Sequence, residues 1–190
     1  MLTARYCKLL QLNRSVHTLR IGTCEFPVSV PRFIQYVPTK YANVLETTSD
    51  MTFHMKWLAQ KDALGQDSFL VGPPGPERRR LALAYCELVQ RECEVLTISQ
   101  DTTEADLKQR REIVNGSAIY VDQAPVRAAL AGRVLVLDGI EKAERNVLPT
   151  INNLLENREM ALSDGRFLVS PQRFDSLLAV RLLGSLSWYI

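Results

Sequence analysis

The chain has 190 residues, which is enough for one domain and an N-terminal extension. Hydrophobic residues make up 46% and charged residues 23%, so the composition is that of a globular protein and argues against disorder along the whole length. The net charge of +2 creates no strong electrostatic field, and a nucleic-acid partner is therefore not indicated. No stretch reaches the roughly 20 apolar residues that cross a bilayer, so no membrane span is predicted.

The first 24 residues differ in composition from the rest. They contain basic and hydroxyl residues but no acidic ones, and the first acidic residue is Glu25. The basic side chains are those of Arg5, Lys8, Arg14 and Arg20. This composition is typical of a mitochondrial transit peptide, and a basic N-terminal arm that stays attached is the alternative.

Two predicted elements in residues 25–65 precede the main domain. Residues 25–45 contain three prolines among apolar residues, which favours a short extended segment or hairpin over a helix. Apolar residues at helical spacing predict a helix over 49–62.

From residue 66 onward, predicted strands and helices alternate. We predict strands over 68–71, 94–98 and 134–137, and helices over 77–91, 103–112, 125–130 and 144–157. The helix 103–112 follows residues that resemble a capping box, and the apolar run 134–137 is typical of a strand buried on both faces. The alternation predicts an α/β fold with a mainly parallel sheet.

A loop rich in glycine and proline joins the first of these strands to the first of these helices. It consists of Gly72, Pro73, Pro74, Gly75 and Pro76. A strand, a glycine-bearing loop and a helix form the arrangement that binds nucleotide phosphates, through backbone N–H groups and the positive end of the helix dipole. We therefore treat this loop as a candidate phosphate-binding loop.

The residues after the loop depart from the motif G-x-x-x-x-G-K-[ST]. Gly72 fits its first position, but Glu77, Arg78 and Arg79 stand where the second Gly, the Lys and the hydroxyl residue belong. Arg78 keeps the charge of a Lys without its shape, Glu77 brings a carboxylate toward the phosphates, and Arg79 cannot ligate Mg²⁺. Three arginines in a first helical turn also oppose the helix dipole, which a bound anion would relieve; the alternative is that Glu77, Glu87 or solvent compensates them.

A candidate metal ligand follows the predicted buried strand 134–137. Asp138 fits the Walker B carboxylate, which helps to hold Mg²⁺, although a simple loop or cap residue is the alternative. The catalytic carboxylate would come next in that motif, but Gly139 stands there and Glu141 lies two residues later. Asp138 and Glu141 are therefore the candidate catalytic residues, and Asp138 is the candidate metal ligand.

The chain resembles the dynein-related, MoxR-like AAA+ ATPases in three segments: GPPGP, DTTEADLKQRREI and GSAIYVDQAPVRAALAGRVLVLDGIEKAERNVLPTINNLLENREMALSDGRF. The resemblance begins near Ile21 and runs to about Asp175, and it is most specific between Asp101 and Arg166. It looks most like the first AAA+ module of a large mitochondrial member of the family.

The resemblance implies a P-loop NTPase core of three layers and an ATP-fuelled ring in the mitochondrial matrix, with other AAA+ modules as partners. It places ATP at Gly72–Arg79 and Mg²⁺ at Asp138, and it makes residues 144–170 the segment that transmits the nucleotide state. In the family, a sensor-1 strand follows this region and lies between the Walker A and Walker B strands, and a helical lid comes after it. This chain departs from the family after about Asp175 and is expected to be truncated before both. The chain is therefore expected to hold a partial AAA+ core over 66–175 and a divergent tail over 176–190.

Two functions remain open at this point. The first is an ATP-binding module with degenerate Walker motifs and little or no hydrolysis by this chain alone. The second is a non-catalytic assembly module of an AAA+ ring.

Overall fold

The computed structural model describes residues 12–13, 18–21, 24–28, 30–42 and 49–183. The chain forms two compact units that interleave along the sequence. The first unit comprises Met1–Thr97 and Arg127–Asp138, and the second comprises Ile98–Val126 and Gly139–Ile190. Over the described ranges, no helix has the length and apolar character needed to cross a bilayer.

The first unit begins with a small antiparallel sheet. Its strands are β1 (Leu12–Asn13), β2 (Thr18–Ile21) and β3 (Cys24–Pro27), in the order β1-β2-β3. Leu19 pairs with Phe26 across β2 and β3. A single 3-10 turn follows at Ile34–Tyr36. The extended segment or hairpin predicted for 25–45 is thus confirmed in part, since its first strand pairs with residues that precede it.

Two helices contribute to the core beside this sheet, and the first of them contacts β2 and β3. Helix α1 (Ser49–Ala63) confirms the predicted helix 49–62, and helix α2 (Glu77–Leu88) ends before the predicted Arg91 because Gln90 takes a left-handed backbone conformation. The residues that share the core come from the sheet, from both helices and from the segment that follows them: Leu19, Ile21, Phe26, Met55, Leu58, Ala59, Leu83, Ala84, Tyr85, Cys86, Val89 and Cys93.

A parallel strand pair completes the first unit. Strand β4 (Cys93–Thr97) pairs with β7 (Val134–Asp138), with Cys93 opposite Val134 and Thr97 opposite Asp138. This pair confirms the predicted α/β architecture with parallel strands. The prediction that Val134–Leu137 is buried on both faces is wrong, because every residue of β7 is only half-buried.

The strand predicted over 68–71 is also wrong. Residues 66–72 have no regular secondary structure, and no strand in the described part of the chain pairs with them. Phe69 and Val71 expose 70% and 81% of their surface. A strand is stabilised by hydrogen bonds to a neighbouring strand, so apolar, β-branched composition alone does not produce one here.

A charged side chain of α2 ties residues 40–42 to this helix within the first unit. Glu87 of α2 accepts three backbone N–H groups, from Lys40, Tyr41 and Ala42, at 2.7–3.1 Å. Each such bond satisfies a polar group of a segment that has little regular structure.

Arg133 is the centre of a second group of charges in the first unit. Its guanidinium contacts Glu92 at 2.9 Å and Glu94 at 2.7 Å, and it lies 3.5 Å from the ring centroid of Tyr36. Glu94 is also paired with Arg127 at 3.0 Å. Hydrogen bonds from the Phe33 N–H and from Arg133 hold the pKa of Glu92 below its usual range.

The second unit contains a hairpin where a helix is predicted. Helix α3 (Glu104–Leu107) has a capping box formed by Thr103 and Asp106, but it ends after one turn. Strands β5 (Gln109–Val114) and β6 (Ser117–Asp122) follow and pair antiparallel. The helix 103–112 is therefore wrong beyond Leu107. Asn115 and Gly116, both at positive φ, form the two-residue turn, and Asn-Gly is a strong hairpin signal.

The remaining elements include the two helices predicted over 125–130 and 144–157. They are α4 (Ala124–Ala131), a 3-10 turn (Ile140–Lys142), α5 (Leu148–Asn157), β8 (Met160–Ala161), β9 (Phe167–Leu168) and α6 (Pro171–Leu183). Strands β8 and β9 form an antiparallel hairpin. Helix α5 begins at Leu148 and not at the predicted Glu144, because Pro149 lacks an N–H donor and fits only the first turn.

A hydrogen-bond network joins the hairpin β5–β6 to the loop before β9, within the second unit. Gln109 is 2% exposed, and its amide donates to Asp122 at 2.7 Å and to Asp164 at 2.8 Å. Arg166 contacts the same two carboxylates at 2.7 Å. The hydrogen bond from the Gln109 amide lowers the pKa of Asp164 most, and the hydrogen bonds and charge of Arg166 lower it further, to about 2.

Candidate functional site

The predicted phosphate-binding loop lies at the surface of the first unit. Residues 72–77 are exposed, and α2 begins at Glu77 immediately after them. Gly75 has φ of 149°, which non-glycine residues rarely adopt. Pro76 is the N-cap residue and makes no side-chain hydrogen bond to the helix, so the cap itself supplies no acceptor to the first-turn N–H groups. This end of α2 is therefore electrostatically suited to an anion.

The arginines of the first turn have different surroundings. Arg80 is paired with Glu77 at 3.1 Å, whereas Arg79 lies 3.7 Å from Asp138. Arg78 is half-buried. Of the two compensating acidic residues considered from sequence, Glu77 does pair with an arginine, and Glu87 is engaged with the backbone of residues 40–42. The charge of Glu77 is thus partly neutralised before any ligand binds.

The structure brings Asp138 to the start of α2. Asp138 ends β7, and its carboxylate oxygen Oδ2 faces the Nη1 atom of Arg79. About a third of the Asp138 side chain is exposed, so solvent reaches the pair. Two positions that sequence reasoning assigned separately, to the loop and to the strand, therefore meet in one place. The pairing itself was not predicted, although the opposite charges at these two motif positions are the signal for it.

The residues at this place do not fit a Mg²⁺ ion. Mg²⁺ requires oxygen ligands in near-octahedral geometry, and Arg79 offers a positive charge where the motif has a hydroxyl oxygen. Asp138 is the carboxylate available to the metal, and the guanidinium of Arg79 lies against it. Across the described residues, no group of three or more His, Cys, Asp or Glu side chains is arranged to hold a metal.

The backbone at Gly139 disfavours any side chain, including a catalytic carboxylate. Gly139 has φ of 83°, and a Cβ atom built there would lie 3.0 Å from the carbonyl oxygen of Ile98. The missing carboxylate is evident from the sequence, but the positive φ of Gly139 was not predicted. The dipeptide Asp138-Gly139 is a turn signal that could have indicated it. Glu141 lies exposed in the 3-10 turn of the second unit, whereas Asp138 closes the first. The catalytic role of Glu141 stays a prediction.

Comparison with known proteins identifies the family of the chain. The family described as AAA domain (dynein-related subfamily) matches residues 67–187. The match continues past Asp175, so it extends further than the resemblance seen in the sequence. Among curated proteins, the von Willebrand factor A domain-containing protein 8 of Mus musculus is 56% identical over 164 residues. The aligned region covers 86% of this chain and 9% of that relative, so the chain spans about a tenth of the relative's length.

Proposed function

The chain belongs to the dynein-related subfamily of AAA domains, and on that premise we propose that it is an ATP-binding module of an AAA+ ring. Membership of this family gives it the P-loop NTPase fold, in agreement with the α/β architecture and the parallel pair β4–β7. The relative named above is much longer than this chain, so the ring and its other modules are part of the proposal.

The observation that carries the proposal is the meeting of the loop and Asp138. The glycine-bearing loop leads into the positive end of α2, and Asp138 of β7 lies beside the first turn of the same helix. The phosphates would lie at Gly72–Arg79, where Arg78 and the first-turn N–H groups offer positive charge. The adenine and ribose would be held elsewhere in the module.

We further propose that this module hydrolyses ATP slowly or not at all. The Walker A and Walker B motifs are degenerate at three positions. Glu77 adds a carboxylate that repels the phosphates, Arg79 replaces the hydroxyl that holds the metal, and Gly139 lacks the carboxylate that orients water. ATP would then serve as a structural or regulatory ligand of the ring.

The alternative is an assembly module that binds no nucleotide. The pairing of Arg79 with Asp138 favours this alternative, because the two side chains already satisfy part of each other's charge. Saturable nucleotide binding discriminates between the two functions.

We expect the purified chain to bind a fluorescent ATP analogue weakly, with a dissociation constant of roughly 0.1–1 mM, about 4–5.5 kcal/mol of binding free energy. An Arg78→Glu variant should bind at least about tenfold more weakly, because it replaces an attractive charge at the phosphates by a repulsive one. Arg145→Glu, which changes the net charge equally outside the loop, is the matched control and should bind like the wild type. Fluorescence titration measures all three constants. Wild-type protein that shows no saturation at several millimolar nucleotide would favour the assembly module.

We also propose that the first residues direct the protein into the mitochondrial matrix, as their acid-free composition favours. The core sets a limit on any processing, because Leu19 and Ile21 are 0% and 2% exposed and their removal would open the first unit. A cleavage site would therefore precede Thr18.

A reporter fused to residues 1–24 is expected to co-localise with a matrix marker in fluorescence microscopy. The same fusion with Arg5, Lys8 and Arg14 changed to Gln keeps length and apolar content, and it should stay in the cytosol. If both fusions give the same diffuse signal, the segment is a basic arm and not a leader. N-terminal sequencing of the imported full chain tests whether processing stops before Thr18.

A further inference from the structure

AAA proteins bind their nucleotide together with Mg²⁺, but here Arg79 stands where the motif has a ligand of that ion. We infer that the guanidinium of Arg79 takes the place of the metal ion, so that the site accepts a nucleoside triphosphate without its divalent cation. The inference rests on the proposed nucleotide binding at Gly72–Arg79, and it names the form of the ligand that this site takes.

Arg79 stands at the place in the motif where the metal is held. In P-loop proteins the metal is held by the loop hydroxyl and the Walker B carboxylate, beside the β- and γ-phosphates. Arg79 replaces that hydroxyl residue, and its Nη1 atom lies 3.7 Å from Oδ2 of Asp138. A positive charge therefore stands next to the Walker B carboxylate, where the metal would otherwise be.

The guanidinium of Arg79 can contact Asp138 and a phosphate at the same time. Arginine carries five N–H donors in a planar fork, so one edge can face a carboxylate while another faces a phosphate. At 3.7 Å the contact with Asp138 is an ion pair and not a short hydrogen bond, and 42% of the Arg79 side chain remains exposed. Donors are thus left for an incoming anion.

The neighbouring Arg80 does not duplicate this arrangement. Arg80 is paired with Glu77 at 3.1 Å on the exposed side of the same turn. Arg79 is the arginine of this turn for which the structure shows a contact with Asp138, so substitution of Arg79 and of Arg80 should have different consequences.

The charge of Arg79 repels a divalent cation at Asp138. A divalent cation beside Asp138 would meet the charge of Arg79, and Arg79 would have to leave the carboxylate before the ion could be coordinated. Added Mg²⁺ also neutralises the triphosphate in solution and so weakens its attraction to a cationic site. Binding should therefore gain nothing from Mg²⁺.

The first test is a titration with a fluorescent ATP analogue in EDTA and in excess Mg²⁺. The affinity of the wild-type chain should be no more than about threefold higher in excess Mg²⁺ than in EDTA. Arg79→Ser restores the hydroxyl and frees Asp138, so this variant should bind at least about tenfold more tightly in Mg²⁺ than in EDTA. Arg80→Ser removes an equal charge from the same turn, and its ratio should stay that of the wild type.

The second test needs no nucleotide. Mn²⁺, a paramagnetic substitute for Mg²⁺, is titrated into the chain and followed by electron paramagnetic resonance. The wild type should hold no Mn²⁺ that depends on Asp138, whereas Arg79→Ser should gain a weak site that Asp138→Asn removes.

The outcomes separate this inference from the proposed function. Wild-type binding that tightens tenfold in Mg²⁺ overturns the inference and leaves nucleotide binding intact. An Arg79→Ser variant that gains neither Mg²⁺ dependence nor a Mn²⁺ site also overturns it. Absence of nucleotide binding in every protein and condition overturns the proposed function, and the Mn²⁺ titration then still decides whether Arg79 excludes the metal.

Discussion

Phosphate release from ATP by the purified chain is expected to be no faster than release by its Asp138→Ala variant. Hydrolysis needs an oriented water molecule and stabilised charge on the transferring phosphoryl group. Gly139 carries no carboxylate to orient water, and Arg79 stands where a metal ligand is required. Because each missing group costs about 10²–10³ in rate, turnover should lie at least about 10³-fold below the roughly 10 s⁻¹ that is usual for enzymes.

A coupled phosphate assay with saturating nucleotide measures this rate, and Asp138→Ala sets the background. Turnover near one per second that disappears in the Asp138→Ala variant would contradict the expectation, and it would assign the base to Glu141. A Glu141→Gln variant then tests that assignment directly.

The obvious repair, Gly139→Glu, should not create an ATPase. A side chain at Gly139 would be placed in a left-handed conformation that costs about 1–2 kcal/mol, and its Cβ would press on the Ile98 carbonyl at 3.0 Å. The variant should therefore melt at a lower temperature and still show background phosphate release. Turnover without loss of stability would show that the backbone at this position adapts.

The second large effect is expected on stability, from Arg133→Met. This change should lower the free energy of unfolding by about 2 kcal/mol, since it removes a charged partner both from Glu92 and from the buried Glu94. The loss is smaller than the 3–5 kcal/mol or so of a fully broken buried pair because Arg127 remains on Glu94.

Arg127→Met is the matched control. Its side chain is 44% exposed and contacts the same carboxylate, so its loss should cost less than about 1 kcal/mol. Urea unfolding followed by circular dichroism gives both values. Equal losses in the two variants would mean that burial of Arg133 and its contact with the Tyr36 ring contribute little.

The sequence predicts the α/β class and the helices that have apolar residues at helical spacing. It does not predict elements whose formation depends on pairing with another strand or on the conformation of a turn. Helix 49–62 and strand 94–98 carry periodic patterns of their own, and the structure has both. Residues 68–71 are equally apolar, but a strand also requires a neighbour, which local composition does not reveal. The helix predicted over 103–112 follows from the capping-box pattern, which starts only one helical turn, whereas the turn at Asn115 and Gly116 favours the hairpin β5–β6.

In the candidate site, too, the sequence predicts which residues take part but not their geometry. Motif spacing places Gly72, Asp138 and the arginines of α2 in the roles we propose for them. Spacing says nothing about the distance between Arg79 and Asp138, because that distance depends on how α2 lies beside the end of β7. The positive φ of Gly139 is likewise a property of the folded backbone.

The interleaving of the two units has a consequence for synthesis on the ribosome. Strand β4 leaves the ribosome well before β7, its parallel partner, and the intervening chain includes residues 98–126, which belong to the other unit. The first unit thus has to wait until Asp138 has emerged, and its closure spans a long loop, which slows folding. During this wait the core lacks Val134 and Val136 of β7, which pack against it, and the apolar surface that they cover is open to chaperones or aggregation. Since each unit consists of two separate stretches, no single cut in the chain would release either of them whole.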